Sequence, residues 1–183
     1  DEKVTRAFCV PPIILALAKH PIIDNYDLSS LKTIMSAAAP LGDELQKACT
    51  DRLGIFVKQG WGMTELSPIG TILSDPEPAQ DSSKWDLDKI LTEVKGSCGE
   101  LAAATQGKIV DPETGEDLPW SEEGELMIKG PQVMKGYWQR PEATNEVLDA
   151  DGWLHTGDIA LMNEQGYFKI VDRKKDMILV SGF

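Results

Sequence analysis

Within the run Gln59-Gly-Trp-Gly-Met-Thr-Glu-Leu-Ser-Pro68, a planar ring, a hydroxyl and a carboxylate follow one another in five positions. Gly60 and Gly62 flank Trp61, so the backbone turns tightly and approaches a ligand closely on either side of the ring. Trp61 offers a flat face for stacking a base. After Met63, the Thr64 hydroxyl suits a phosphate oxygen. The Glu65 carboxylate suits a hard cation such as magnesium, which prefers oxygen ligands and keeps several of its waters. Together these groups describe an ATP site. The plain alternative is a Gly-rich turn with a buried Trp and a capping Thr.

Three further stretches carry compatible chemistry. Ser36-Ala37-Ala38-Ala39-Pro40 has only small side chains, which let a flat ligand lie against backbone amides and carbonyls; its plain reading is a strand-to-helix turn. Asp158, after Gly157, is a carboxylate in a turn, able to accept both hydroxyls of a ribose or merely to form the turn. Asp172 to Asp176 (DRKKD) reads as a solvated charged turn. An acidic loop from Asp111 to Glu122 fails as a calcium-binding EF-hand, because the sixth position requires Gly and holds Glu116. It reads as an exposed hairpin turn.

The elements that must position these groups are α/β in the first half. A proline pair at Pro11-Pro12 opens an apolar helix through to a Lys-His-Pro stop at Pro21, and Leu31 to Met35 reads as a strand. Pro40 to Arg52 has helical spacing with Gly54 as its stop. Ile55 to Lys58 reads as a strand that delivers the Gly-Trp-Gly loop, the usual place for a ligand in an α/β sheet. Asp75 to Lys84 is polar and proline-rich, a linker candidate, and Asp86 to Lys95 predicts a short amphipathic helix. After Gly96 the pieces GKIVD, GELMIKG, GWLHTGDIALM and GYFKIVDRKKDMILV alternate with turn signals at 111–115 and 163–166. They predict a small β-barrel or folded sheet.

A chain of 183 residues, 42% hydrophobic, can bury one core or two small ones. No apolar run reaches the roughly 18 residues of a transmembrane segment. The net charge of −12 argues against nucleic-acid or anionic-membrane binding through the whole surface, though not against a local nucleotide cradle. Cys9, Cys49 and Cys98 are odd in number, widely spaced and free of CxxC spacing. That argues against a disulfide framework or zinc site and fits a reducing intracellular compartment.

The QGWGMTELSP stretch resembles the motif of the adenylate-forming (AMP-binding) superfamily: acyl-CoA synthetases, 4-coumarate–CoA ligases, beetle luciferases and peptide-synthetase adenylation domains. The resemblance implies that Trp61, within Gly60 to Met63, stacks on adenine, that Thr64 contacts the phosphates and that Glu65 helps hold magnesium. The family usually has Tyr where Trp61 stands. Ser36 to Pro40, followed by Leu41, is similar to the family's adenine-lining segment, which places Ala37, Ala38, Ala39 and Pro40 at the nucleotide; Ala37 stands where a Gly is usual. Gly152 to Asp158 and Tyr167 to Phe183 are the second and third matches. They imply that Asp158 and Arg173 bind the ribose hydroxyls. They also imply that Lys175 is the hinge about which a C-terminal domain rotates between adenylation and thioester formation. The family's counterpart of His155 is not its catalytic group, so His155 reads as structural, although histidine is a common general base. Gly124 to Gly130, Gly136-Tyr137-Trp138 and Arg140 to Thr144 complete the series as mainly structural segments, with Tyr137 shaping the barrel. The chain departs from the family after Gly99, where Glu100 to Gln106 replaces a Pro-containing stretch, and in its long 75–95 connection.

The implied whole is mixed α/β. Residues 1–74 form a partial α/β layered subdomain, 75–95 a connecting segment, 96–172 a small β-barrel-like subdomain and 173–183 the hinge and start of a further domain. The implied activity is an ATP-dependent acid–thiol ligase that forms an acyl-adenylate and passes the acyl group to CoA, with ATP, Mg2+ and CoA as its small molecules. Aryl-propenoic and medium- or long-chain fatty acids lead as substrates. Alternatives are a peptide-synthetase-type adenylation domain, a luciferase-like enzyme or a degenerate nucleotide-binding homologue. The family's Ser/Thr/Gly-rich phosphate loop and lysine-bearing C-terminal domain are not within Asp1 to Phe183, so these residues read as a piece of a longer chain, inactive alone. A cytoplasmic or peroxisomal location follows, with no nucleic-acid partner; the sequence says nothing of oligomeric state.

Overall fold

The structure is a computed structural model that describes residues 2–76 and 82–173. The chain divides into two compact units. Among the described residues one comprises 2–60, 73–76 and 82–96, and the other 61–72 and 97–173. The fold is mixed α/β.

In the first unit, strands β1 (Arg6–Cys9), β2 (Thr33–Ser36) and β3 (Phe56–Gly62) run parallel in that order, with Arg6 opposite Thr33 and Thr33 opposite Phe56. Helices α1 (Pro11–Lys19) and α2 (Asp43–Leu53) make the two crossovers. Proline at the start of α1 lacks only an amide that has no helical partner there. Gly54, left-handed at φ 65°, ends α2 and donates its amide to Thr50 O. Ile14, Ile34, Leu41, Cys49 and Val57 form the core between helices and strands. Helix α3 (Leu87–Glu93) is capped by the Asp86 carboxylate, which accepts from the Lys89 amide.

Asp75 is a structural anchor inside the stretch that composition marks as a linker. Its carboxylate takes Lys58 Nζ at 2.6 Å and Arg6 Nη2 at 2.7 Å, and Asp75 and Lys58 are only 13% and 12% exposed. Burial pushes the Asp75 pKa up, but the hydrogen bonds and charges of Lys58 and Arg6 outweigh it and hold it below the ordinary 3.8.

The second unit contains β4 (Ile69–Ile72), antiparallel to the short β5 (Glu100–Leu101). It also contains an antiparallel sheet of β6 (Gln106–Val110), β7 (Gly124–Lys129), β8 (Leu154–Met162) and β9 (Phe168–Arg173), in that order. Among the described residues this sheet is open: four strands follow in sequence with no closing pair, so the folded-sheet alternative describes it and a closed barrel does not. Leu126, Ile128, Leu154, Ala160 and Phe168 alternate inward along their strands onto Leu66 and Cys98. The acidic loop is a turn, as its residues predict: Asp111 Oδ1 accepts from the Glu113 and Thr114 amides. Among the described residues no helix is long and apolar enough to cross a membrane.

Asp75→Ala leaves the Lys58 ammonium half-buried without its carboxylate and should lower stability by about 3 kcal/mol at neutral pH. Because the folded pKa lies below the unfolded 3.8, this contribution is complete above the unfolded value and is lost as pH falls through the folded one. Thermal midpoints measured from about pH 6 down to about pH 3 should show the gap between native and variant closing in acid.

Candidate active site

Trp61 and Gly62 are the last residues of β3, so the Gly-Trp-Gly segment is extended strand and not the loop its composition predicts. The glycines serve close packing. A Cβ on Gly62 would run into the Pro68 carbonyl oxygen, and one on Gly70 of β4 into the six-membered edge of the Trp61 ring. The half-buried indole directs its Nε1–H at Asp158 Oδ2, 2.7 Å away and 97 positions along the chain. Gly70 thus forms the floor of the aromatic group, a role that its plain sequence context does not signal.

Asp158 stands in a bulge within β8. Glu125 of β7 pairs with Ile159 but Met127 pairs with His155, so β8 carries extra residues opposite Leu126. Gly157 supplies the left-handed backbone, φ 70°, that the bulge needs. Thr156 Oγ1 donates to Leu126 O at 2.7 Å and accepts the Asp158 amide at 3.2 Å. The buried Glu125 carboxylate accepts the Gly157 amide at 3.2 Å, and its other oxygen lies 3.4 Å from His155 Nδ1. Glu125 was not among the residues singled out by sequence: a Glu in an alternating strand reads as solvent-facing. Opposite Asp158 in register is Arg173, which closes β9; its side chain and all of Lys175 lie outside the described residues.

Thr64, Glu65 and Leu66 form a 3-10 turn directly after β3, with Leu66 buried in the core and Thr64 exposed. The Glu65 carboxylate accepts the Tyr137 hydroxyl at 2.6 Å through Oε1. That hydrogen bond, with burial, pushes the Tyr137 pKa up to about 12. No cluster of three metal-ligating side chains occurs among the described residues. A single half-buried carboxylate with one oxygen engaged fits magnesium that arrives on nucleotide phosphates, since such ions use one or two carboxylates plus substrate oxygens.

Ala37 to Pro40 belong to the first unit and follow β2. The Ala37 amide donates to Cys9 O, and Ala38 holds φ 75°, a left-handed conformation costly for a residue with a Cβ. The Leu41 amide donates to Gln59 Oε1 at 3.3 Å, Gln59 Nε2 to Gln46 Oε1 at 3.2 Å, and Gln46 Nε2 to Val57 O at 2.7 Å. The small-residue segment is therefore tied to β3 through Gln59, the first residue of the Trp motif. All three cysteines are free; burial pushes each thiol up, Cys49 to about 11, so none is a ready nucleophile.

With this α/β fold and these motifs, the chain belongs to the AMP-binding enzyme family, whose pattern it matches over residues 1–138. It is 45% identical over 183 residues to a probable 4-coumarate–CoA ligase 1 of Dictyostelium discoideum, covering 99% of this chain and 30% of that protein. It is 44% identical over 183 residues to 4-coumarate–CoA ligase 1 of Solanum tuberosum, covering 100% and 32%. Among solved structures, the amide bond synthetase McbA of Marinactinospora thermotolerans superposes with a TM-score of 0.82 at 30% identity, covering 99% of this chain and 34% of that one. The chain thus spans about a third of the length of the relatives it matches.

Trp61→Phe keeps a stacking face and removes the donor to Asp158. Hydrogen bonds to charged groups contribute about 1.5–3 kcal/mol, so the variant should lose stability of about that size, read as a lower denaturation midpoint. Gly70→Ala drives a methyl group into the ring edge and should lower the same midpoint while leaving the Trp61 donor chemically intact.

Proposed function

We propose that the protein containing this chain is an ATP-dependent acid–thiol ligase. It activates a carboxylic acid as an acyl-adenylate and transfers the acyl group to CoA. The hydrogen bond between Trp61 and Asp158 carries this reading, because it joins a base-stacking face to a ribose-binding carboxylate in one fixed group. The family match and the relatives named 4-coumarate–CoA ligases support CoA as the acceptor and an aryl-propenoic acid as the first substrate to test.

In the first step a carboxylate oxygen bonds to the α-phosphorus of ATP while the bond to the bridging oxygen breaks and pyrophosphate leaves. In the second, the CoA sulfur bonds to the acyl carbon and AMP departs with the anhydride oxygen. Two anions must meet in the first step, so positioning and fixed donors lower the barrier more than any proton transfer does. Trp61 holds the base by stacking. Asp158 accepts from ribose hydroxyls, since a carboxylate offers only acceptors, with about four lone-pair sites. The exposed Thr64 hydroxyl is free to rotate toward a phosphate oxygen. Glu65 is the residue that would hold magnesium, which supplies compensation for charge developing on phosphorus. Arg173, level with Asp158 in the β8–β9 register, is proposed as the second ribose contact and Lys175 as the hinge.

ATP–pyrophosphate exchange with the full-length protein tests the reading. Exchange should depend on an added carboxylic acid, with 4-coumarate or another aryl-propenoic acid active and amino acids inactive. Asp158→Ala should raise the KM for ATP about tenfold or more with little change in the KM for the acid. Exchange with no acid tried, while ATP still binds, would sink the ligase assignment.

A further inference from the structure

The segment between β7 and β8, structural by its sequence, bears on the one carboxylate proposed to carry the metal. Glu65 is gripped twice from this segment: its backbone carbonyl accepts the Met134 amide at 2.7 Å, and its side chain accepts the Tyr137 hydroxyl. Tyr137 is itself fixed. Its amide donates to Thr144 Oγ1 at 2.9 Å, and the Thr144 hydroxyl donates to Arg140 O at 2.9 Å in the first turn of α4 (Pro141–Val147). Gly136 adopts φ 144° with Thr144 directly against it, so a Cβ there would meet the Thr144 side chain. Upstream, Gln132 Nε2 donates to Thr105 Oγ1 at 2.7 Å. The Gly136-Tyr-Trp and Pro-Glu-Ala-Thr segments are thus parts of one strap, and its reaching group is a phenol.

We infer that Tyr137 is the positioning residue for Glu65, holding Oε1 so that the other oxygen faces a magnesium ion borne by ATP. The inference rests on the proposed metal role of Glu65. A Glu at the surface end of a short turn samples several rotamers, and a cation that binds through one carboxylate oxygen must select among them. A phenol–carboxylate bond of 2.6 Å is short and charge-assisted, which fixes the rotamer before the ion arrives. It also keeps the carboxylate monodentate, as an ion that retains phosphate and water ligands requires. Outer partners of metal ligands commonly contribute about 10- to 100-fold in metal affinity.

The test uses the full-length protein with Mn2+ as a paramagnetic stand-in, titrated in the presence of ATP and followed by electron paramagnetic resonance. Tyr137→Phe should weaken Mn2+ about tenfold, with metal-free ATP affinity unchanged. Glu65→Gln should weaken it at least as much, and adding Tyr137→Phe to Glu65→Gln should cost nothing further. If Glu65→Gln leaves Mn2+ affinity unchanged, the metal role of Glu65 fails and the inference falls with it. If Glu65→Gln weakens Mn2+ but Tyr137→Phe does not, the metal reading stands and the inference is overturned. A Tyr137→Phe loss that persists in full without the Glu65 carboxylate also overturns it, because the phenol then acts on something else.

Discussion

A donor–acceptor pair spanning 97 residues, Trp61 Nε1 on Asp158 Oδ2, is the contact on which the geometry of the second unit turns. Each partner reaches its place only through a local irregularity. Trp61 needs Gly70 beneath its ring and Gly62 against Pro68. Asp158 needs a bulge with Gly157 in the left-handed region, stitched by Thr156 to Leu126 O and by Glu125 to the Gly157 amide. An indole N–H can only donate, and a buried carboxylate needs donors, so the pair serves both polar groups. Burying a carboxylate is costly unless such donors are supplied, which explains why the bulge and the aromatic segment come as a set.

The strap around Glu65 follows the same logic on the exposed side. The turn Thr64–Leu66 has too few backbone hydrogen bonds to hold a long side chain still, and Leu66 anchors only its buried end. Rigidity at the carboxylate is imported from the Tyr137 segment, which is in turn locked by Thr144. Both carboxylates of the unit's candidate site are therefore positioned by hydrogen bonds from aromatic residues distant in sequence.

How far these features are legible in sequence depends on whether their cause is local. Helix α2 and its stop are, because apolar spacing and a left-handed Gly54 are local properties. So are the strands from β6 to β9, whose alternation and turn residues are local too. The Gly-Trp-Gly segment misleads, since two glycines suggest a turn, whereas here the segment is extended strand and Gly62 permits the close approach of Pro68. Glu125, Gly70 and Tyr137 are illegible for one reason: each acts on a residue far away in the chain. An alternating-strand Glu, a strand Gly and a surface Tyr have ordinary local explanations that periodicity cannot displace. The bulge at Gly157 lies between these cases, because Thr-Gly-Asp announces an irregular backbone but not that β8 continues beyond it.

The net charge of −12 makes the choice of groups intelligible. An acidic chain repels a nucleotide at long range, and salt limits that repulsion to about 8 Å at physiological ionic strength, so recognition must be local. Asp158 and Glu65 cannot face phosphate oxygens directly: acceptors would meet acceptors and anions would meet anions. Asp158 can take hydroxyl donors, and Glu65 can take only a cation or a further donor. A polyphosphate ligand is compatible with these two carboxylates only if its sugar lies toward one and a metal ion intervenes at the other. The chemistry of the acidic groups thus orients the nucleotide on the proposed reading, and it does so before any basic residue is invoked.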